Sequence, residues 1–170
     1  MFDSAVLGVD PGVSSVGVAA VAKRNRRPVL VFAENVRTPR DLPEAERLRR
    51  IHDAIRDAIV AHGPTSVAVE RVAWNKNQAT ALLVARATGV ILLAAAEAGL
   101  AVHEYGPLEV KMAVTGQGNA DKAQVRDALV RLHGLADAPS QPDAADAVAV
   151  ALCHLTQTRL RRSATMAGMR

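Results

Sequence analysis

Two short apolar runs, each ending in a carboxylate, constrain this chain more than any other feature. Ala5–Asp10 (AVLGVD) and Ser66–Glu70 (SVAVE) are almost wholly apolar until their last residue. Runs of that length without polar alternation read as strands buried on both faces. An acid closing such a strand lies where open α/β sheets place ligand sites, beyond the carboxyl ends of the strands. If the two strands are neighbours, Asp10 and Glu70 converge there.

The rest of the chain supplies the remaining elements. A Pro-Gly turn follows Asp10, and residues 16–22 and 29–36 read as strands separated by a basic turn at 23–27. With the first strand they form an antiparallel meander. Leu48, Ile51, Ile55 and Ile59 recur at three- and four-residue spacing, giving a helix over 43–61 that Gly63-Pro64 stops. An Ala- and Leu-rich helix is expected over 77–98, a strand at Ala101–Tyr105, a short helix at 107–114, a loop at 115–120, and helices at 121–133 and 141–158. No repeat or linker interrupts, so residues 1–158 read as one domain and 159–170 as a basic, flexible tail. Strands alternating with helices after a meander predict an α/β fold: a mixed five-stranded sheet, three antiparallel strands then parallel ones, with helices on both faces. That is the RNase H-like arrangement, shared with one half of the actin-like ATPases.

Composition narrows the function classes. Of the 170 residues, 49% are hydrophobic and only 2% aromatic, so Leu, Val, Ile and Ala must build the core. The single Cys153 excludes an internal disulfide and a Cys-rich zinc site. No stretch reads as a membrane span and no signal peptide opens the chain, so a cytoplasmic protein with no membrane partner is expected. The net charge of +4 is unevenly placed. Arg159, Arg161, Arg162 and Arg170 lie in the tail with no acid; the other 17 Lys and Arg balance 17 Asp and Glu.

Four acids form the candidate site. Asp143 and Asp146 are three apart at the start of the last helix and share a face, so that helix can bring them to Asp10 and Glu70. Ser140-x-x-Asp143 also has the form of a capping box, with Ser140 as N-cap, and alone Asp143 reads as a cap. Asp146, set among Ala144, Ala145, Ala147 and Val148, needs a partner or a metal. Crowded carboxylates repel and call for cations. Oxygen-only ligands favour Mg²⁺, with Mn²⁺ a plausible substitute. Two such ions ~3.5–4 Å apart are the arrangement that cleaves phosphodiesters.

VLGVDPGVSSVGVA, AVERVAWNKN, VKMAVTGQGNADKAQV and QPDAADAVAVALCH together resemble the RuvC family of Holliday-junction resolvases, in order and spacing, through about residue 158. The resemblance implies a homodimer that nicks a four-way DNA junction symmetrically and works with a RuvA–RuvB branch-migration complex. It implies that Asp10, Glu70, Asp143 and Asp146 are catalytic metal ligands, and that Lys111 and Lys122 serve DNA contact and catalysis. Arg126 and the glycines of the 115–120 loop, Gly116 among them, are expected near phosphate. Family members typically carry an aromatic where this chain has Ala73. Trp74 is expected to stack on DNA in its place, beside Asn75, Lys76 and Asn77. The helix over 77–98 is apolar nearly all round, so one face seats on the sheet and another, tested at Leu83 and Val90, is expected to meet a second copy. The rival readings are an ATPase fragment, a catalytically dead nucleic-acid-binding module and an RNase H-like nuclease for another nucleic acid.

Overall fold

The structure is a computed structural model that describes residues 5–72 and 78–167, with side chains through Thr158. Ala73, Trp74, Asn75, Lys76 and Asn77 lie outside the described residues. Five strands, β1 (Ala5–Asp10), β2 (Ser15–Arg24), β3 (Arg27–Arg37), β4 (Ser66–Glu70) and β5 (Ala101–Tyr105), form one sheet in the order β3-β2-β1-β4-β5. β1–β2 and β2–β3 are antiparallel, while β1–β4 and β4–β5 are parallel. The helices are α1 (Glu44–His62), α2 (Gln78–Glu97), α3 (Pro107–Thr115), α4 (Lys122–Arg131) and α5 (Pro142–Ala167). The expected mixed five-stranded architecture is the observed one.

Side-chain alternation along the strands sorts the core into two layers. Leu7, Val9, Val16, Val18, Val67 and Val69 pack against α1 and α2 through Ile51, Ile55, Ala87 and Ile91. Val6, Ala19, Val21 and Ala68 pack on the other face against α5, with α3 and α4 outside it. Asp10 shares the parity of Val6 and Glu70 that of Ala68, so both acids belong to the α5 side. α5 seats closely because the sheet offers it little bulk. A methyl added at Gly8 would overlap the carbonyl of Ala147, and one at Gly17 the carbonyl of Asp143. In a chain this poor in aromatics, small residues at the helix–sheet contact achieve close packing by proximity instead of side-chain volume.

Four boundaries differ from expectation for local reasons. The broad basic turn shrinks to Asn25-Arg26, both at positive φ (51° and 65°), because β2 and β3 pair out to Arg24↔Arg27. α4 ends at Arg131, short of His133, and Gly134 at φ 71° follows. α5 begins at Pro142, which suits a first helical position, so Ser140 precedes the cap position and the capping-box reading of Ser140 and Asp143 fails. The same helix runs on to Ala167, so its backbone continues through most of the expected tail.

α2 also corrects a sequence expectation: by length and composition it is apolar enough to cross a membrane. Its Ala81, Ala87, Thr88, Ile91, Ala94 and Ala95 are instead buried within the protein.

Candidate active site

Parallel pairing of β1 and β4 puts Val9 beside Val69, so Asp10 and Glu70 are the next residues in register at the same sheet end. α5 crosses above them with Asp143 in its first turn and Asp146 one turn on. Gly17 pairs with Asp10 across β1–β2 and takes the Asp143 backbone directly over it. Sequence reasoning missed this role. The available signal was a glycine inside an apolar strand, which marks a close backbone approach.

The electrostatics follow from that convergence. The Asp10 carboxyl is pushed up from 3.8 to about 8, first by burial, then by the charges of Glu70, Asp146 and Asp143, with Lys122 pulling the other way. Lys122 opens α4, whose start is fixed by a capping box. Asp121 accepts from the Gln124 amide at 2.8 Å, and the Asp121 amide donates to Gln124 Oε1 at 2.9 Å. From there Lys122 Nζ meets Asp146 Oδ2 at 2.5 Å, and this contact raises the lysine pKa. The partner that an acid among alanines requires is therefore a lysine. Asn35 Nδ2 reaches Asp143 Oδ2 at 3.4 Å, while Asn35 Oδ1 is buried with no hydrogen-bond partner among the described residues. Asn35 was also missed, since a lone Asn in an edge strand carries no distinguishing pattern.

Asp10, Glu70, Lys111, Lys122 and Asp146 line one cleft of about 220 Å³, floored by Val110, Val125 and Ala149. Lys111 thus reaches the site from α3. Arg126 lies instead along a neighbouring groove of about 720 Å³ between α4 and α5, which shares Lys122 and Asp146 with the cleft. Gly116 ends α3 in a left-handed conformation at φ 76°, and its amide donates to Met112 O at 2.9 Å. That donor is engaged in closing the helix, so Gly116 has a helix-ending role here besides the close approach to phosphate expected of the loop.

Among the described residues, no three of Asp, Glu, His and Cys stand close enough to hold one ion as placed. The other three acids are within electrostatic reach of Asp10, but Asp146 leans to Lys122 and Asp143 to Asn35. The arrangement is a convergent, all-oxygen donor set neutralised in part by an ammonium, not a closed cage. Its chemistry suits a hard divalent cation, since oxygen donors with surplus negative charge are what such an ion needs.

A mixed sheet of this order, with acids at adjacent strand ends and a helix supplying more, defines an RNase H-like nuclease of the resolvase type. The chain belongs to the crossover junction endodeoxyribonuclease RuvC family, whose model matches residues 6–154. It is 44% identical over 149 residues to the RuvC of Corynebacterium jeikeium, covering 87% of this chain and 91% of that one. It is 41% identical over 157 residues to the RuvC of Thermotoga petrophila, covering 92% and 95%. The structure matches Thermus thermophilus RuvC in complex with a Holliday junction substrate at a TM-score of 0.86, with 37% identity over 92% of this chain and 96% of that one. The yeast mitochondrial Holliday junction resolvase shares the fold at a TM-score of 0.70 and 10% identity, covering 92% of this chain and 80% of that one. The protein is thus a Holliday-junction-resolving endonuclease.

Proposed function

We propose that this chain cuts four-way DNA junctions with Mg²⁺, two ions per site and Mn²⁺ as substitute, held by Asp10, Glu70, Asp143 and Asp146. One observation carries the reading: three carboxylates from β4 and α5 converge on Asp10 at the end of β1, and with burial they push its carboxyl up to about 8. A cluster that penalises its own negative charge is a cation site in waiting. When bound, the ions supply electrostatic stabilisation of the phosphoryl group and lower the pKa of the attacking water. The protein's part is orientation. Asp10 and Glu70 are fixed by the sheet, and Asp143 and Asp146 by the seating of α5 at Gly17 and Gly8. Lys122, once its carboxylate partner turns to a cation, is positioned to take a backbone phosphate. Lys111 faces the same cleft, and Arg126 extends the cationic surface along the adjacent groove. Trp74 with Asn75, Lys76 and Asn77 remains proposed as the base-stacking segment beside Glu70.

The test uses labelled four-way junction, linear duplex and RNA–DNA hybrid, each with Mg²⁺, Mn²⁺ or EDTA. Paired nicks on the junction alone, with either metal and none with EDTA, are expected. Equal cutting of the hybrid would favour the alternative, an RNase H-like nuclease for another nucleic acid.

Symmetric nicking needs two sites in fixed relation, and α2 supplies a surface for a homodimer. Its outward side exposes Leu82 (54%) and Leu93 (52%) with Gly89 between them, a small residue that permits close helix approach. Leu83 and Val90 face inward instead: Leu83 borders a small cavity against α1, and Val90 packs on the core. Charges there would test folding, so the interface test moves outward. Leu82→Glu and Leu93→Glu are expected to give folded monomers by light scattering, with melting temperatures within a few degrees of wild type. Two intact dimers would place the interface elsewhere. Service to a RuvA–RuvB complex is proposed from family membership.

A further inference from the structure

We infer that His154 is a positioning residue for the cleavage site: pinned by Ser66 and Tyr105, it fixes how far α5 lies along the sheet, and so where Asp143 and Asp146 stand over Asp10 and Glu70. The inference rests on the reading of those four acids as the cation site. Apart from Tyr105, the buried polar or charged residues among the described ones are Thr38, Ser66, Thr88 and His154. The hydroxyls of Thr38 and Thr88 donate to the backbone carbonyls of Val13 and Val84. Ser66 and His154 instead meet each other across two elements, with Ser66 Oγ 3.2 Å from His154 Nε2. The other ring nitrogen, Nδ1, lies 2.7 Å from the Tyr105 hydroxyl. The rings of His103 and Tyr105 flank the imidazole at 4.5 and 5.9 Å between centroids, which holds its plane.

The placement of this pin matches the placement of the acids. Ser66 opens β4 and Glu70 closes it, and both share the parity of Ala68, which faces α5. His154 follows Asp146 by eight residues on α5. The four steps of strand from Ser66 to Glu70 span ~13 Å, and the eight of helix span ~12 Å. Helix and strand therefore run side by side with equal lengths between their ties. His154 meets Ser66 at one end, and Asp146 shares the cleft with Glu70 at the other. Tyr105 adds a second route to the site. It pairs with Glu70 in the β4–β5 ladder, and its carbonyl accepts from the Arg71 amide at 2.8 Å. The imidazole thus joins α5 both to the start of β4 and to the residue beside Glu70.

The rest of the α5 contact explains why a pin is needed. The helix meets the sheet through Ala147 and Ala151 at Gly8, and through its own backbone at Gly17. Such contacts bring the helix close, but apolar contact is non-directional. Hydrogen bonds constrain both distance and angle. Gly8 and Gly17 set the height of α5 above the sheet, and His154 sets its position along it. An apolar trio of the same shape would serve stability about as well, since hydrogen-bonded partners replaced together by apolar groups are nearly neutral. The polar trio is therefore explained by geometry. A site that must close on a cation tolerates little slip, because ~1 Å of misplacement costs ~10²-fold in rate.

The experiment compares wild type with a triple variant, Ser66→Ala, Tyr105→Phe and His154→Leu, which removes the three polar groups together. Melting temperature, Mn²⁺ binding to the DNA-free protein by electron paramagnetic resonance, and single-turnover cleavage of saturating junction are measured. The triple variant is expected to melt within a few degrees of wild type. It should bind Mn²⁺ about tenfold more weakly and cleave about tenfold more slowly, as a slip of less than 1 Å would cause. Junction affinity should hold, since phosphate contacts carry it. His154→Gln, whose amide can still meet Ser66, should recover most of the Mn²⁺ affinity that His154→Leu loses. Wild-type Mn²⁺ affinity and rate in a folded triple variant would make His154 a packing residue and overturn the inference. If the triple variant does not fold, Tyr105→Phe decides, because it deletes one oxygen: weaker Mn²⁺ binding supports the inference and wild-type binding overturns it. Asp146→Asn is the control. Unchanged Mn²⁺ binding there would overturn the reading of the acids and this inference with it. Weakened binding there beside an unaffected triple variant would overturn the inference alone.

Discussion

With divalent ions removed by chelation, Asp10→Asn is expected to melt higher than wild type while cleaving no junction once Mg²⁺ is restored. The two effects have one origin. Burial and three neighbouring carboxylates push the Asp10 carboxyl from 3.8 to about 8 in the metal-free protein. Between about pH 4 and about pH 8 the folded chain holds a proton that the unfolded chain releases, so stability falls as pH rises through that window and levels off above it. Each pKa unit corresponds to about 1.4 kcal/mol, so the cumulative cost across the window is several kcal/mol. Asparagine keeps the shape, cannot ionise, and removes that slope. In EDTA, melting curves from pH 5 to pH 9 should fall for wild type and stay nearly flat for Asp10→Asn, with a gap of about 5 °C or more at pH 8. Saturating Mg²⁺ should flatten the wild-type profile, because a bound cation replaces the proton. Cleavage should drop by about 10³-fold or more, the rate equivalent of losing several kcal/mol of transition-state stabilisation. Junction affinity should change only a few-fold, since phosphate contacts carry it. Identical pH slopes for the two proteins would separate Asp10 from the acidic cluster.

Much of this was legible in the sequence because two-sided burial leaves a plain mark. AVLGVD and SVAVE are apolar up to their acids, and the strands end where the apolar runs end. What periodicity cannot convey is which strands are neighbours and which face a residue takes. That Asp10 and Glu70 both belong to the α5 side follows only once β1 is known to pair with β4. The Ser140–Asp143 pattern misled for a related reason. Capping boxes are local, and Pro142 at the first helical position sets the start of α5 one residue later than the serine requires. On α2 the composition is apolar all round, so nothing in its spacing distinguishes Leu82, which is exposed, from Leu83, which lies against α1. Lys122 was legible as a cation near the site, but its ion pair with Asp146 depends on the packing of α4 beside α5.

Gly17→Ala should do more damage than one methyl suggests. Gly17 sits in β2 between Asp10 on one neighbouring strand and Asn35 on the other. The space a β-carbon would occupy is already filled by the carbonyl of Asp143 and the amide nitrogen of Ala144, so every atom it meets is backbone. No rotamer change can relieve that overlap. Either the first turn of α5 lifts or β2 sinks, and β2 is held by ladders on both sides. Overpacking of an ordinary core costs ~1–3 kcal/mol, and a clash with backbone belongs at the upper end. For a chain of this size that lowers the melting temperature by about 5–10 °C. The larger consequence is geometric. The turn that lifts carries Asp143 and, one turn on, Asp146, while Asp10 and Glu70 stay with the sheet. A displacement of about 1 Å in a catalytic constellation costs ~10²-fold in rate. Assayed well below its melting point, Gly17→Ala should therefore bind junction normally, cleave it about a hundredfold more slowly, and need more Mg²⁺ for half-maximal rate. Asp143 should also move out of reach of Asn35, which makes Asn35→Ala nearly silent in the Gly17→Ala background though costly in the wild type. Wild-type cleavage by a well-folded Gly17→Ala protein would show that α5 does not owe its position over the carboxylates to this glycine.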